Sequence, residues 1–313
     1  VSDSGSGACL AAELARALPG AVTTDAPIAP YTTYHLGGPV AVLVRAETAA
    51  ALAVIAGVVR AYAPPVLVVG RGSNLLVADG GFDGLAVVLG SSFEAVELGD
   101  AGLVRAGGAV ALPVLARQAA RAGRGGLEFY VGIPGSVGGA VRMNAGGHGR
   151  ETAEVLVRAR SVDLAGDAVE IERTVAELAL GYRSSAIGAA EVVTGADFVV
   201  TGAPPDECER AIREIVRWRR EHQPGGANAG SVFRNPPGDS AGRLIDALGL
   251  KGFRVGGAVV SPKHANFFQA EQGATADDVR RLVVEVRRRV SDATGIVLEP
   301  ELQMFGFTEA ERP

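Results

Sequence analysis

Apolar residues recur at helical spacing near both ends of the chain, and as alternating or continuous runs between them. The spacing predicts a helix from about Cys9 to Leu18, then the loop YTTYHLGGP, the strand VAVLVRA and a helix over 48–62. PVLVVG reads as a short buried strand running directly into a glycine-rich turn, which completes a small α/β unit. From Leu85 to about Val200 the pattern changes to strands. LAVVLG, FEAVEL, LVRAGGAV, VLVRARSVDL, DAVEIER and EVVTGADFVV, with one helix over 111–122, describe an α+β domain with a largely antiparallel sheet. The arginine-rich helix ECERAIREIVRWRREH leads into the loop QPGGANAGSVFRNPPG, and the last third reads as a separate module. There Thr275 and Asp278 have the spacing of a capping box. Val279, Leu282, Val283, Val286 and Val290 then share one helical face, while Arg280, Arg281, Arg287, Arg288 and Arg289 read as a solvated one. GIVLEPELQMFG is expected to close the fold as a strand. No internal repeat is visible.

Composition narrows the function classes. With 313 residues, 48% of them hydrophobic, the chain can build two or three packed units. A net charge of −5 argues against a nucleic-acid surface, which needs clustered excess Lys and Arg to neutralise phosphates. No stretch approaches the ~20 apolar residues of a membrane span, and the Gly-Ser start lacks the basic and apolar regions of a signal peptide. A cytoplasmic location away from the membrane is therefore expected. Cys9 and Cys208 lie far apart, without metal-ligand spacing, so neither a disulfide framework nor a metal site is expected. Cys208 shares an apolar helical stripe with Ala211, Ile212 and Ile215, which places it in a core.

The candidate chemistry lies in two glycine-rich segments. GIPGSVGGAVRMNAGGHG, residues 132–149, has glycine at seven of eighteen positions. Ile133, Val137, Val141 and Met143 argue against a disordered linker, which would be more polar. Two readings stay open: a set of tight turns, or a cradle whose backbone N–H groups face an anion or a flat ring. VVGRGSNLLVADGGFDG, residues 68–84, begins where a buried strand ends, and Ser73 and Asn74 could assist a phosphate there. It is not a dinucleotide fingerprint, because Leu75 stands where the third glycine would fall. Together the segments suggest a phosphate-bearing cofactor without identifying it.

GRGSNLLV, GIPGSVGGAVRMNAGGHG, GYRSS, NAGSVFRNP, SPKHANFF and LEPE occur in this order, and with this combination the chain resembles the UDP-N-acetylenolpyruvoylglucosamine reductases of peptidoglycan synthesis from about Thr32 to Gly306. The resemblance implies an α+β, three-domain FAD-binding flavoprotein of the vanillyl-alcohol-oxidase and p-cresol-methylhydroxylase type with a C-terminal substrate domain. The expected borders are 1–88 and 89–218 for the two FAD-binding subdomains and 219–313 for the substrate domain. The chain is similar to the shorter of two family types, since little room separates Val200 from the arginine-rich helix. His148 departs from the family, which usually has tyrosine there.

By resemblance, FAD is bound non-covalently and NADPH is the co-substrate. The cofactor contacts carried over are Gly70, Gly72, Ser73, Asn74 and Leu75 in one segment. In the other they are Gly132, Pro134, Gly135, Ser136, Gly138 and Gly139, with Asn144 and Gly146. The reaction implied is reduction of the enolpyruvyl ether of UDP-N-acetylglucosamine to UDP-N-acetylmuramate, with hydride passing from flavin N5 to C3 and a proton to C2. Arg183 matches the family arginine, whose permanently charged fork suits a carboxylate. Glu299 matches the glutamate that works with it, either protonated or acting through the arginine. Ser231 matches the proton donor. Tyr182, Arg219, Asn235, His264 and Asn266 are candidate substrate contacts, the last two on an expected strand. A monovalent cation activates some relatives, and no residue marks a place for it. The chain is expected to act as a monomer.

Two alternatives stay open. One is a flavin oxidase or dehydrogenase acting on another substrate, against which YRSS, GSVFRNP and LEPE argue because general flavin binding needs none of them. The other is a UDP-sugar-binding protein without redox chemistry, against which both glycine segments argue.

Overall fold

The structure is a computed structural model that describes residues 4–99 and 102–313, with side chains from residue 7 onward. The first three residues of the Gly-Ser start lie outside the described residues. In chain order the elements are α1 (Ser4–Ala17), β1 (Val22–Pro27), β2 (Pro39–Ala46), α2 (Ala49–Tyr62), β3 (Val66–Val69), β4 (Leu75–Val77), β5 (Phe82–Leu89), β6 (Val96–Leu98) and β7 (Leu103–Gly107). Next come α3 (Leu112–Arg121), β8 (Arg124–Gly125), α4 (Val137–Met143), β9 (Gly146–Gly147), β10 (Arg150–Glu151), β11 (Leu156–Asp163), β12 (Glu170–Thr174), α5 (Val175–Leu178), β13 (Glu191–Val199) and β14 (Thr201–Gly202). The last are α6 (Pro205–His222), β15 (Ala227–Ser231), α7 (Ala241–Ala247), β16 (Arg254–Val255), β17 (Ala258–Val260), β18 (Phe267–Ala270), α8 (Ala276–Thr294) and β19 (Gln303–Phe305).

The chain divides into two compact units. One takes the described residues up to Ala26 together with Ala41–Arg71 and Gly84–Arg217; the other takes Pro27–Val40, Gly72–Asp83 and Trp218–Pro313. Residues 27–40 and 72–83 thus cluster with the C-terminal third and not with the rest of 1–88. Within the first unit, β1-β2-β5-β3 form one sheet, whose pair β3 and β5 is parallel, with Val66 opposite Leu85. Leu14, Leu52, Ile55 and Leu85 are fully buried in its core. Thr48 starts α2 by accepting the Ala51 N–H at 3.1 Å, and Ala63 ends it in a left-handed turn before two prolines.

A second sheet in the same unit, ordered β12-β11-β13-β7-β6, is antiparallel throughout, as the strand pattern predicted. Val104, Ala106, Ala159, Ala196 and Phe198 join α3 and α4 in the core beneath it, where Cys208 is buried. Burial, with the Glu128 carboxylate as hydrogen-bond partner, pushes that thiol up to about 11, so Cys208 is an inert part of the packing. Only Ala203 and Pro204 separate β14 from α6, which leaves no insertion there.

In the other unit, β15-β18-β17-β16 form a sheet that α8 covers. Thr275 and Asp278 make the predicted capping box, and the five apolar positions of α8 are fully buried. Tyr34 reaches the same core and donates its hydroxyl to the Phe268 carbonyl at 3.1 Å. Strand β19 pairs in parallel with β4, which explains why residues 72–83 belong to this unit.

Three expectations need correction. GIVLEPELQMFG is not a continuous strand: its ladder is confined to Gln303–Phe305 and a single bridge between Pro300 and Phe233. The segment 132–149 contains a helix, α4, which its glycines conceal because each costs about 1 kcal/mol in a helix relative to alanine. The arginines of α8 are not uniformly solvated: Arg287 donates Nε to the Leu298 carbonyl at 2.9 Å, and Arg289 lies 4.1 Å above the Phe253 ring.

Candidate active site

Gly70 directly follows strand β3, and a Cβ there would come within 2.6 Å of Ser136 Oγ. The two glycine segments therefore meet inside the first unit, where a side chain at position 70 would have to displace the Ser136 hydroxyl. Gly72 is required for another reason. Its φ is +61°, and a Cβ would sit 1.9 Å from the Tyr31 carbonyl oxygen, so packing within the other unit already requires glycine there. Asn74 donates Nδ2 to the Glu301 carbonyl at 2.9 Å, and Leu75 is buried in the pairing of β4 with β19. Ser73 is half-buried beside them.

Ser136 caps α4 by accepting the Gly139 N–H at 3.3 Å. Among the described residues, the main-chain N–H groups of Gly135 and Ser136 donate to no main-chain acceptor. Gly138 faces inward: its N–H donates to the Gly108 carbonyl at 2.9 Å, and a Cβ would lie 3.2 Å from that oxygen and 3.3 Å from the Val193 carbonyl oxygen. Gly139 faces outward, where a Cβ would meet only Ser136 Oγ at 3.5 Å, and Pro134 is exposed beside it. The His148 ring covers Gly132, since a Cβ there would come within 2.8 Å of it. Free N–H donors, an exposed glycine face and a glycine-tight junction fit a cofactor with a pyrophosphate and a flat ring.

The inward and outward glycines give different expected outcomes. Gly138→Val should disrupt the fold itself by clashing with the main chain of Gly108 and Val193. Gly139→Val should leave melting of the flavin-free protein close to wild type yet lower the flavin recovered with the purified chain. Equal flavin occupancy in Gly139→Val and wild type would mean that this face does not carry the cofactor.

The GYRSS turn docks on the C-terminal end of α4. Gly181 and Ser184 exchange main-chain hydrogen bonds at 3.1 and 3.2 Å, and Ser185 Oγ donates to the Arg142 carbonyl at 2.7 Å. Arg183 has a left-handed backbone, φ +53°, and its guanidinium donates to the carbonyls of Asn144 at 3.4 Å and Gly146 at 3.1 Å. Its guanidinium carbon also lies 5.1 Å from the centre of the exposed Tyr182 ring. A Cβ on Gly146 would crowd Arg183 Nη1 at 3.2 Å and the Arg150 carbonyl at 2.8 Å. The Asn144 side chain, a predicted cofactor contact, is occupied by Gly181 and Ala153 within the protein.

In the other unit, the structure brings Ser231 and Glu299 onto neighbouring extended segments. Arg234 N donates to the Glu299 carbonyl at 2.9 Å, Glu301 N to the Val232 carbonyl at 2.8 Å, and Phe233 bridges Pro300. Ser231 ends β15 opposite Phe267, after a bulge at Gly230, whose φ is +73°. Glu299 is 75% exposed, with Arg234 Nη1 at 3.9 Å. Sequence reasoning passed over Arg234, although it lies inside the quoted motif NAGSVFRNP.

The remaining candidates hold the frame. Asn266 is buried, and its amide gives Nδ2 to the Phe233 carbonyl at 2.8 Å and takes the Phe233 N–H at 3.0 Å. It and His264 lie in the turn before β18, not on a strand. Burial, then the Lys251 charge, pushes the His264 imidazole below its ordinary value; the neutral ring accepts the Asn266 N–H at 3.2 Å. Asn235 Oδ1 accepts the Ala241 N–H at 3.1 Å at the start of α7. Arg219 donates Nε to Gln223 at 2.7 Å, and burial lowers its pKa. Among the described residues, no group of His, Cys, Asp and Glu could hold a metal ion.

Arg287 is a further departure from the expected solvated face, because its bond to Leu298 fixes the residue before Glu299. Arg287→Lys should destabilise the protein by about 1 kcal/mol, the usual net worth of such a bond. Arg288→Lys should be silent, since Arg288 is 56% exposed and makes only local ion pairs. Urea midpoints of the two variants separate the cases, and equal midpoints would mean that the Arg287 bond contributes nothing.

Sequence models give the class first: a FAD binding domain matches residues 40–172. The model described as UDP-N-acetylenolpyruvoylglucosamine reductase, C-terminal domain, matches 222–305. The UDP-N-acetylenolpyruvoylglucosamine reductase of Rhodopseudomonas palustris is 42% identical over 303 residues, covering 96% of this chain and 97% of its own. That of Rubrobacter xylanophilus is 41% identical over 284 residues, covering 90% and 94%. The solved UDP-N-acetylenolpyruvylglucosamine reductase from Thermus caldophilus superposes with a TM-score of 0.77 at 38% identity, covering 91% of this chain and 98% of its own. The chain belongs to the UDP-N-acetylenolpyruvoylglucosamine reductase family.

Proposed function

We infer that the protein is a flavin-dependent oxidoreductase that reduces the enolpyruvyl ether of UDP-N-acetylglucosamine to UDP-N-acetylmuramate, with NADPH as reductant, in peptidoglycan synthesis. The observation in the geometry that carries this reading is the pairing of the Ser231 segment with the Glu299 segment, two motif residues remote in sequence. FAD, when bound, supplies the hydride. Gly135, Ser136 and Gly139 would hold it through main-chain donors and a face free of side chains.

The chain's own residues handle the carboxylate and the proton. As hydride arrives at C3 of the enolpyruvyl group, negative charge builds at C2 and spreads into the carboxylate. The Arg183 fork is suited to hold that carboxylate and to strengthen its grip as the charge grows, and such stabilisation is commonly worth ~3 kcal/mol for one donor. Ser231 Oγ then gives its proton to C2. A hydroxyl is a weak acid, but an enolate is a strong base, so the transfer needs position more than acidity. Glu299 has Arg234 within ion-pair range, which offsets the repulsion a bare carboxylate would offer an enolate. Tyr182, Arg219 and Asn235 are proposed to contact the nucleotide-sugar. We propose two FAD-binding subdomains and a substrate domain in the order the resemblance implied, with residues 27–40 and 72–83 clustering with the last.

No helix among the described residues is long and apolar enough to cross a membrane. A cytoplasmic location, where nucleotide-linked precursors are handled, is proposed on the family resemblance. The test is the product: one NADPH should disappear per enolpyruvyl nucleotide-sugar, giving a D-lactyl ether two mass units heavier. NADPH loss without that product would point to oxidase chemistry.

A further inference from the structure

We infer that Asn144 is a positioning residue for Arg183, acting on both its main chain and its guanidinium; this rests on the role proposed for Arg183 above. Asn144 ends α4 with a left-handed backbone, φ 40°, a place where glycine is the usual choice. Glycine would bring no side chain to bury. Here the residue is fully buried, and a buried primary amide is tolerated only when it is matched by partners.

Its partners are specific. Oδ1 accepts the Ala153 N–H at 2.9 Å, which orients the amide, and Nδ2 donates to the Gly181 carbonyl at 3.0 Å. Gly181 opens the turn that carries Arg183, and it closes that turn through its exchange with Ser184. Arg183 needs this support because its own left-handed backbone, φ +53°, is unfavourable for a residue with a Cβ. The Asn144 carbonyl meanwhile receives Arg183 Nη1 at 3.4 Å. One residue thus ties the base of the turn to α4 and takes part in holding the tip of the arginine. Ser185, two residues after Arg183, adds a third tie, to the Arg142 carbonyl.

The consequence is a kinetic signature. A guanidinium displaced by about an ångström loses much of its effect on a reacting group, even though the charge remains. Asn144→Gly keeps the backbone conformation and removes only the amide. In the full-length flavin-loaded protein it should reoxidise with the enolpyruvyl nucleotide-sugar ~10-fold to ~10²-fold more slowly, with flavin content and reduction by NADPH unchanged. In an Arg183→Ala background the same change should have no further effect, since groups that act as one unit do not add. If Asn144→Gly fails to fold, Asn144→Asp retains the acceptor for Ala153, lacks the donor for Gly181, and should show the same selective slowing and the same non-additivity. Full-speed reoxidation, loss of flavin, slowed reduction or multiplying effects in the double variant would each overturn the inference. Wild-type reoxidation in Arg183→Ala alone would instead overturn the role given to Arg183, and this inference with it.

Discussion

Ser231→Ala is expected to bind flavin, accept hydride from NADPH at the wild-type rate, and then reoxidise with the enolpyruvyl nucleotide-sugar ~10²-fold or more too slowly. The selectivity follows from where the residue lies. Ser231 sits at the end of β15, outside the glycine-rich segment 132–149, so deleting its hydroxyl leaves the residues of that segment unchanged. Its main-chain pairing with Phe267 does not depend on the side chain either, and the fold should be retained. Stopped-flow absorbance of the two half-reactions separates them directly. Near-normal reoxidation in the variant would reassign the proton donor to another group, such as a water held by Glu299.

Arg183→Lys should be nearly as costly, on the order of 10²-fold in the rate of flavin reoxidation, with a smaller change in substrate affinity. Charge is conserved, so the loss isolates geometry. An ammonium cannot span both the Asn144 and Gly146 carbonyls as the guanidinium does, nor present a planar fork to a carboxylate. Arg288→Lys is the proper control, because Arg288 meets only Glu285 and Asp292 on its own helix. Arg287 would be a poor one, given its bond beside Glu299. Single-turnover reoxidation in both variants decides the matter: equal small effects would mean that Arg183 does not stabilise the developing charge.

Helix α8 was legible because two independent signals agree on it, the Thr275 cap and an apolar stripe that proves fully buried. Helix α4 was not, because Gly138 and Gly139 speak against a helix on local propensity. Close packing against Gly108 and Val193 overrides that preference and favours glycine at 138. In the first glycine segment Gly72, Asn74 and Leu75 also serve contacts with Tyr31, Glu301 and β19, and no local pattern announces those long-range uses. Resemblance singled out Ser231 and Glu299, while their adjacency came only from long-range pairing. The Asn144 bond to Gly181 spans 37 positions and left no trace in spacing.

The most direct test of the account is anaerobic. The purified protein is reduced with one equivalent of NADPH, the bleached flavin spectrum is recorded, and the enolpyruvyl ether of UDP-N-acetylglucosamine is added. The proposed function requires the oxidised spectrum to return within turnover time, in proportion to the nucleotide-sugar added. A flavin that stays reduced until oxygen is admitted would contradict it.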